Sequence, residues 1–181
     1  YEIDCDSADN IYFVGGTSSA NNIFYNSGFQ STPTSIDEGF VAKFDANGVN
    51  IWGTYIGGNE ADYLYGVKNY LDAGVLITGL TQSAENIATS GAFSTSLAGQ
   101  YDALIMKLSP TGDLDWGSYY GGPLSDEGRG IAINPTNAYF TIAGYSMSSS
   151  GVTSSGADQE TYGGGIYDGF LTKFCAPIIP T

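Results

Sequence analysis

Apolar and polar residues alternate along this chain in short runs, and the runs return in a fixed order. Phe40, Ala42 and Phe44 share one parity, and Val41 and Lys43 the other, as on an extended strand. Similar runs cover residues 102–108, 115–120, 130–134 and 138–145. Turn residues bound them: Pro110-Thr111-Gly112, where the glycine suits a positive φ, Gly121-Gly122, and Pro135-Thr136-Asn137. No stretch sustains a helical period, so the pattern predicts an all-β chain with little or no helix.

The runs repeat when the chain is laid on itself. Asn50-Ile51-Trp52-Gly53-Thr54-Tyr55-Ile56-Gly57-Gly58 returns 64 residues later as Leu114-Asp115-Trp116-Gly117-Ser118-Tyr119-Tyr120-Gly121-Gly122. At the same offset Asp62 meets Asp126 and Gly66 meets Gly130. Gly39-Phe40-Val41-Ala42-Lys43-Phe44 returns at Ala103–Leu108 and again at Gly169–Phe174. Phe13-Val14-Gly15 returns as Ile77-Thr78-Gly79 and Ile142-Ala143-Gly144. Four strand-like runs fall in each repeat, and both faces of a run are largely apolar. A sheet with one wet face would carry polar residues at alternate positions. A blade held between two neighbours would not, so the expected fold is a β-propeller: about three four-stranded antiparallel repeats of about 64 residues.

This reading divides the chain into a partial blade at 1–37, repeats at 38–101 and 102–167, a partial blade at 168–175, and a Pro-rich tail or linker at 176–181. About 2.8 repeats are present, fewer than the roughly four blades of a closed ring. The expectation is therefore a piece of a larger propeller, or a unit whose ring or array is completed by other copies.

The run Asp102-Ala-Leu-Ile-Met-Lys-Leu-Ser-Pro-Thr-Gly-Asp, followed by Trp116-Gly-Ser-Tyr-Tyr-Gly-Gly, resembles the SBBP-type bacterial β-propeller repeat, as does Asp6-Ser-Ala-Asp-Asn-Ile-Tyr-Phe-Val-Gly15-Gly-Thr. The resemblance covers nearly the whole chain. It implies a secreted or cell-surface bacterial protein, with adhesive or immunoglobulin-like modules and type IX secretion signals as common company. It implies a structural or adhesion role and transfers no catalytic residue.

Composition narrows the chemistry. Nineteen acids against five bases give a net charge of −14, which argues against nucleic acid and against anionic membrane surfaces. No run reaches the length of a membrane span. Histidine is absent, which removes Ser-His-Asp and Cys-His catalysis. The acids Glu38, Asp102 and Asp168 share one repeat position, and the lysines Lys43, Lys107 and Lys173 another. Positions that recur in every repeat point to architecture, so these six residues are read as repeated ion pairs between blades, with a lysine-to-loop hydrogen bond as the alternative. Trp52 and Trp116, also repeat-equivalent, are read as blade packing.

Asp4, Asp6 and Asp9 have oxygen ligands at a spacing that suits calcium, but lack the loop glycine and closing glutamate of an EF-hand; otherwise they form a turn. Cys5 and Cys175 are a candidate disulfide in an oxidising compartment, or two unpaired thiols. Phe24, Tyr25, Tyr162 and Tyr167 lie in long connections whose sequences differ, and are the candidates for contact with glycans or surface proteins. The expected function is a non-enzymatic structural or adhesion module of a larger surface protein. The alternatives are a subunit of an extracellular filament or assembly, and a glycan-binding or glycan-cleaving propeller.

Overall fold

The structure, a computed structural model, describes residues 1–136 and 139–174. Asn137 and Ala138, and the tail at 175–181 with Cys175, lie outside the described residues. Among the described residues there is no helix, and eleven strands follow one another: β1 (Glu2–Cys5), β2 (Ile11–Thr17), β3 (Glu38–Phe44), β4 (Asn50–Ile56), β5 (Asp62–Asn69), β6 (Val75–Thr81), β7 (Asp102–Leu108), β8 (Leu114–Tyr120), β9 (Asp126–Ile133), β10 (Phe140–Ser146) and β11 (Asp168–Phe174).

The strands form three antiparallel sheets, each in chain order: β1-β2-β3-β4, β5-β6-β7-β8 and β9-β10-β11. Each chain crossing from one sheet to the next passes through a Gly-Gly pair, Gly57-Gly58 or Gly121-Gly122. The sheet is thus as long as the sequence repeat but starts half a repeat away from it. The repeat at 102–167 supplies β7 and β8 to the second sheet and β9 and β10 to the third. The pattern of runs could not locate this boundary. Five residues join β3 to β4 within a sheet, and five join β4 to β5 between sheets. The third run also starts earlier than its apolar pattern, at Asp126 rather than 130. Asp126, Glu127 and Gly128 pair with β10, and a bulge absorbs Arg129.

The sheets pack face to face in sequence order. β7 shows why. Leu104, Met106 and Leu108 enter a core shared with Val14, Val41, Trp52 and Ile56 of the first sheet. Ala103 and Ile105, on the opposite parity, enter a core shared with Ile131, Phe140 and Ile142 of the third. All seven residues of β6 and of β7 are buried. The two apolar faces read from the sequence are therefore two separate interfaces.

The Trp-Gly-Ser/Thr-Tyr signature of β4 and β8 has a residue-by-residue explanation. The loop between the second and third strands of each sheet turns back along the outer edge of the fourth. In the first sheet Tyr25 N–H donates to Gly53 O (3.0 Å), and Tyr55 N–H to Gln30 O (3.1 Å). In the second, Thr89 N–H donates to Gly117 O (3.0 Å), and Tyr119 N–H to Ser94 O (3.2 Å). The hydroxyls of Thr54 and Ser118 accept the N–H groups of Gln30 (2.8 Å) and Ser94 (3.0 Å). The hydroxyls of Tyr55 and Tyr119 donate to the carbonyls of Ser19 (3.0 Å) and Ser83 (2.8 Å). The buried Trp52 donates Nε1–H to Pro110 O in the next sheet (2.8 Å). The glycine lets the loop approach: a Cβ on Gly117 would lie 2.1 Å from Ile87 O, and one on Gly53 2.2 Å from Ile23 O.

Gly117→Ala should therefore cost about 1–3 kcal/mol, because a backbone carbonyl must move. Gly130→Ala, where an added Cβ meets nothing within 4 Å, should stay within about 0.5 kcal/mol of the parent. Chemical denaturation of the two variants checks the contrast.

Candidate functional site

The acids of the repeat sit at the crossings between sheets. After β4 the chain turns at Gly57-Gly58 and enters β5 at Asp62, which is fully buried. Its Oδ2 accepts Gly58 N–H (2.9 Å) and the Ser83 hydroxyl (2.8 Å). Asp126 makes the same bonds to Gly122 N–H (2.8 Å) and Ser148 (2.8 Å) after β8. The Oδ1 atoms of both are buried without a hydrogen-bond partner. Beside each lies an acid of the other series. A Cβ on Gly121 would meet Asp126 Oδ2 at 2.7 Å and Asp102 Oδ1 at 2.9 Å. Burial pushes the Asp62 carboxyl up to about 6, with Glu38 adding and the Thr81 hydroxyl, Gly58 N–H and Ser83 hydroxyl offsetting part of the rise. Burial likewise raises Asp102 to about 6, against the N–H groups of Ala98 and Gly99 and with the charge of Asp126 adding.

Glu38, Asp102 and Asp168 do not pair with the lysines. Each gathers the N–H groups of the loop that precedes it. Glu38 accepts from Thr34 and Ser35 (3.2 Å each), Asp102 from Ala98 (2.8 Å) and Gly99 (3.1 Å), and Asp168 from Gly163. The reading of these acids as partners of Lys43, Lys107 and Lys173 is corrected by geometry. The acid opens its strand and the lysine is the sixth residue, about 16 Å further along.

The lysines find partners within their own sheets. Lys43 reaches Asp6 (3.5 Å) in the first hairpin turn and lies 4.8 Å from the Tyr12 ring centroid. Lys107, 1% exposed, pairs with Asp115, the bulged residue of β8. Lys173 lies 4.0 Å from the Tyr139 ring centroid. Among the described residues, the ion pair that does cross between sheets is Lys68–Asp4 (2.9 Å), between β5 and β1. Asp4 also accepts Asn69 N–H (2.7 Å), and Glu2 accepts Val67 N–H (2.8 Å). Lys68 stands 64 residues after Asp4, at the equivalent place in the next sheet. The 64-residue offset is visible in the sequence, but only the stacking of the sheets makes two equivalent positions of opposite charge into partners. Arg129, the bulged residue of β9, sits 3.9 Å over Tyr65, which stands at the equivalent place in β5.

Asp4, Asp6 and Asp9 are not brought together as a calcium site. Asp4 faces β5. Asp6 closes its own turn, accepting Ala8 N–H (3.0 Å), Asn10 N–H (2.9 Å) and the Tyr12 hydroxyl (3.1 Å). Burial would raise the Asp6 carboxyl, but its hydrogen bonds from Asn10, Ala8 and Tyr12 prevail and hold it at about 2. Asp9 carries the turn's positive φ of 60°. No group of three metal-ligating side chains occurs among the described residues. Cys5 is exposed on β1, and its candidate partner Cys175 lies outside the described residues.

Of the aromatic candidates, Phe24 and Tyr25 belong to the first sheet's loop, and Tyr162 and Tyr167 to the third's. The second sheet stands between them, so they form no common site. Tyr162 lines a cavity of about 770 Å³ between β11 and the loop at 147–167, which also holds Phe93, Val152, Gln159 and Phe170. The loops themselves are less variable than their sequences. Asn22, Asn86 and Gly151 take positive φ (67°, 62° and 86°) at one repeat position, and Ile23, Ile87 and Val152 follow them. The conserved backbone path, rather than side-chain identity, makes these connections equivalent.

With this geometry established, comparison with known proteins adds no relative: no protein-family model and no curated protein matches the chain.

The raised carboxyls set a pH dependence. In the unfolded chain Asp62 and Asp102 return to the ordinary 3.8. Below that value both states are protonated. As pH rises through about 6 the folded state holds protons the unfolded state has lost, so stability falls. Asp6 acts in the opposite sense, but only below 3.8. The melting temperature should drop by a few degrees per group between about pH 4 and pH 7, and Asp62→Asn should flatten that fall. A melting temperature that rises across this window would contradict the assignment. Lys107→Met should cost no more than about 2 kcal/mol, because Asp115 is 31% exposed and keeps water as a partner; thermal melts of the variant test this.

Proposed function

We propose that this chain is a non-enzymatic structural module: consecutive β-propeller blades of a longer array, carried by a secreted or cell-surface protein. One observation carries the reading. The outer faces of the first and third sheets hold the same repeat positions that form the two internal cores. Phe13, Phe40 and Phe44 correspond to Ile77, Leu104 and Leu108 of the first core, yet they are only half-buried, with Phe40 edge-on to Phe13 at 5.3 Å and Phe44 stacked on Phe13 at 5.7 Å. At the other end Leu171, equivalent to the fully buried Val41 and Ile105, is 76% exposed. Such faces are built to meet another sheet. The buried acids Asp62, Asp102 and Asp126 bind backbone and hydroxyl groups within the fold, where a sugar cannot reach them, which disfavours the glycan-cleaving reading.

A second reading, a subunit that joins copies end to end, draws on the same two faces. Sedimentation over a concentration series separates them. Limited association that Phe40→Lys abolishes, with an unchanged melting temperature, is the outcome for an array segment. Unlimited growth with concentration marks the assembling subunit. A strictly monomeric chain whose melting temperature and surface-dye binding are indifferent to Phe40→Lys would remove the ground for both.

A further inference from the structure

In the first two sheets the fourth strand lies in a slot with two walls. One wall is the third strand, and the other is the returning loop. β4 bonds to β3 on one side and to Tyr25 and Gln30 on the other; β8 bonds to β7 and to Thr89 and Ser94. The third sheet has both walls. β11 continues β10 in the same register as β7 continues β6. The loop at 147–167 carries the equivalents: Ser148 for Ser19 and Ser83, Val152 for Ile23 and Ile87, Ser154 for Tyr25 and Thr89, and Gln159 for Gln30 and Ser94. Among the described residues no strand pairs with the outer edge of β11, and the walls face one another across the cavity of about 770 Å³. Phe93 lies in its floor at 66% exposure, although its equivalent Phe29 packs against the first core.

We propose that this cavity is a strand-acceptor site. Its occupant is an extended segment of the repeat's fourth-strand type, an apolar-x-Trp-Gly-Ser/Thr-Tyr sequence, that pairs antiparallel with β11 and completes the sheet. The chemistry of each position follows from the filled slots. The backbone bonds to β11 and to the loop carbonyls supply affinity, as in other strand additions. The glycine is required where the loop passes, because the loop carbonyl leaves no room for a Cβ at Gly53 or Gly117. The Ser/Thr hydroxyl accepts the N–H of Gln159, as Thr54 and Ser118 accept those of Gln30 and Ser94. The Tyr hydroxyl donates to Ser148 O, as Tyr55 and Tyr119 donate to Ser19 and Ser83. An acid beside the Trp would reach Lys173 as Asp115 reaches Lys107. β4 and β8 are already paired on both sides, so the occupant is a third segment of this kind, not a strand that a second copy has to spare.

The test is supply in trans. A peptide with the sequence of residues 114–122 is added to the full chain at low protein concentration, and amide hydrogen exchange of β11 is followed. The proposal expects exchange at the outward-facing β11 amides to slow by about tenfold or more, with β1 to β8 unchanged. The same peptide with Val in place of its glycine should give no protection. No protection by the parent peptide at saturating concentration overturns the proposal, as does equal protection by the Val peptide. Protection of β11 that rises with protein concentration and no peptide overturns the assigned occupant in favour of a second copy. The readout concerns β11 alone, so it stands or falls separately from the array reading, which rests on the sheet faces.

Discussion

A four-stranded sheet that is apolar on both faces is stable only between two neighbours, because each face must be removed from water. That constraint organises this molecule. The second sheet meets it fully, and its central strands are buried along their whole length. The first and third sheets meet it on one face each. The stack is therefore a set of interfaces in series, and each sheet depends on the next for half of its apolar burial. Stability of such a structure is a sum of neighbour terms more than a property of one central core.

Polar devices keep the sheets in register at the places where apolar packing is indifferent to sliding. At each crossing a buried aspartate holds the Gly-Gly turn and a serine of the next sheet's loop. Along the first strands, Asp4 and Glu2 grip the lysine and backbone of β5. The burial that makes these groups good anchors also raises the proton affinity of Asp62 and Asp102. Structure and titration are thus one arrangement, and the recurrence of the acids follows from the recurrence of the crossing.

The fourth strand shows how much a short motif can encode. Tryptophan seals the seam to the next sheet, glycine admits the loop, serine or threonine fixes the loop's backbone, and tyrosine ties back to the loop's start. The partners lie in the returning loop and in the next sheet, both distant along the chain, so the motif is legible as a repeat from the chain alone but its meaning is not. The lysines illustrate the same limit. Their shared repeat position marked them as structural, while their partners came from a hairpin turn, a bulge and an aromatic ring, none of which a strict strand alternation foresees.

Period, strand content and two-faced strands were determined by the sequence, because alternation and turn residues are local properties of the chain. The phase of the sheets was decided only in three dimensions: a five-residue connection can close a hairpin or cross to a new sheet, and packing chooses between them. The partners of the charged residues were likewise decided by tertiary structure. Equivalent acids and lysines lie at opposite ends of a strand, too far apart to meet, and each pairs with whatever the fold brings to its own end.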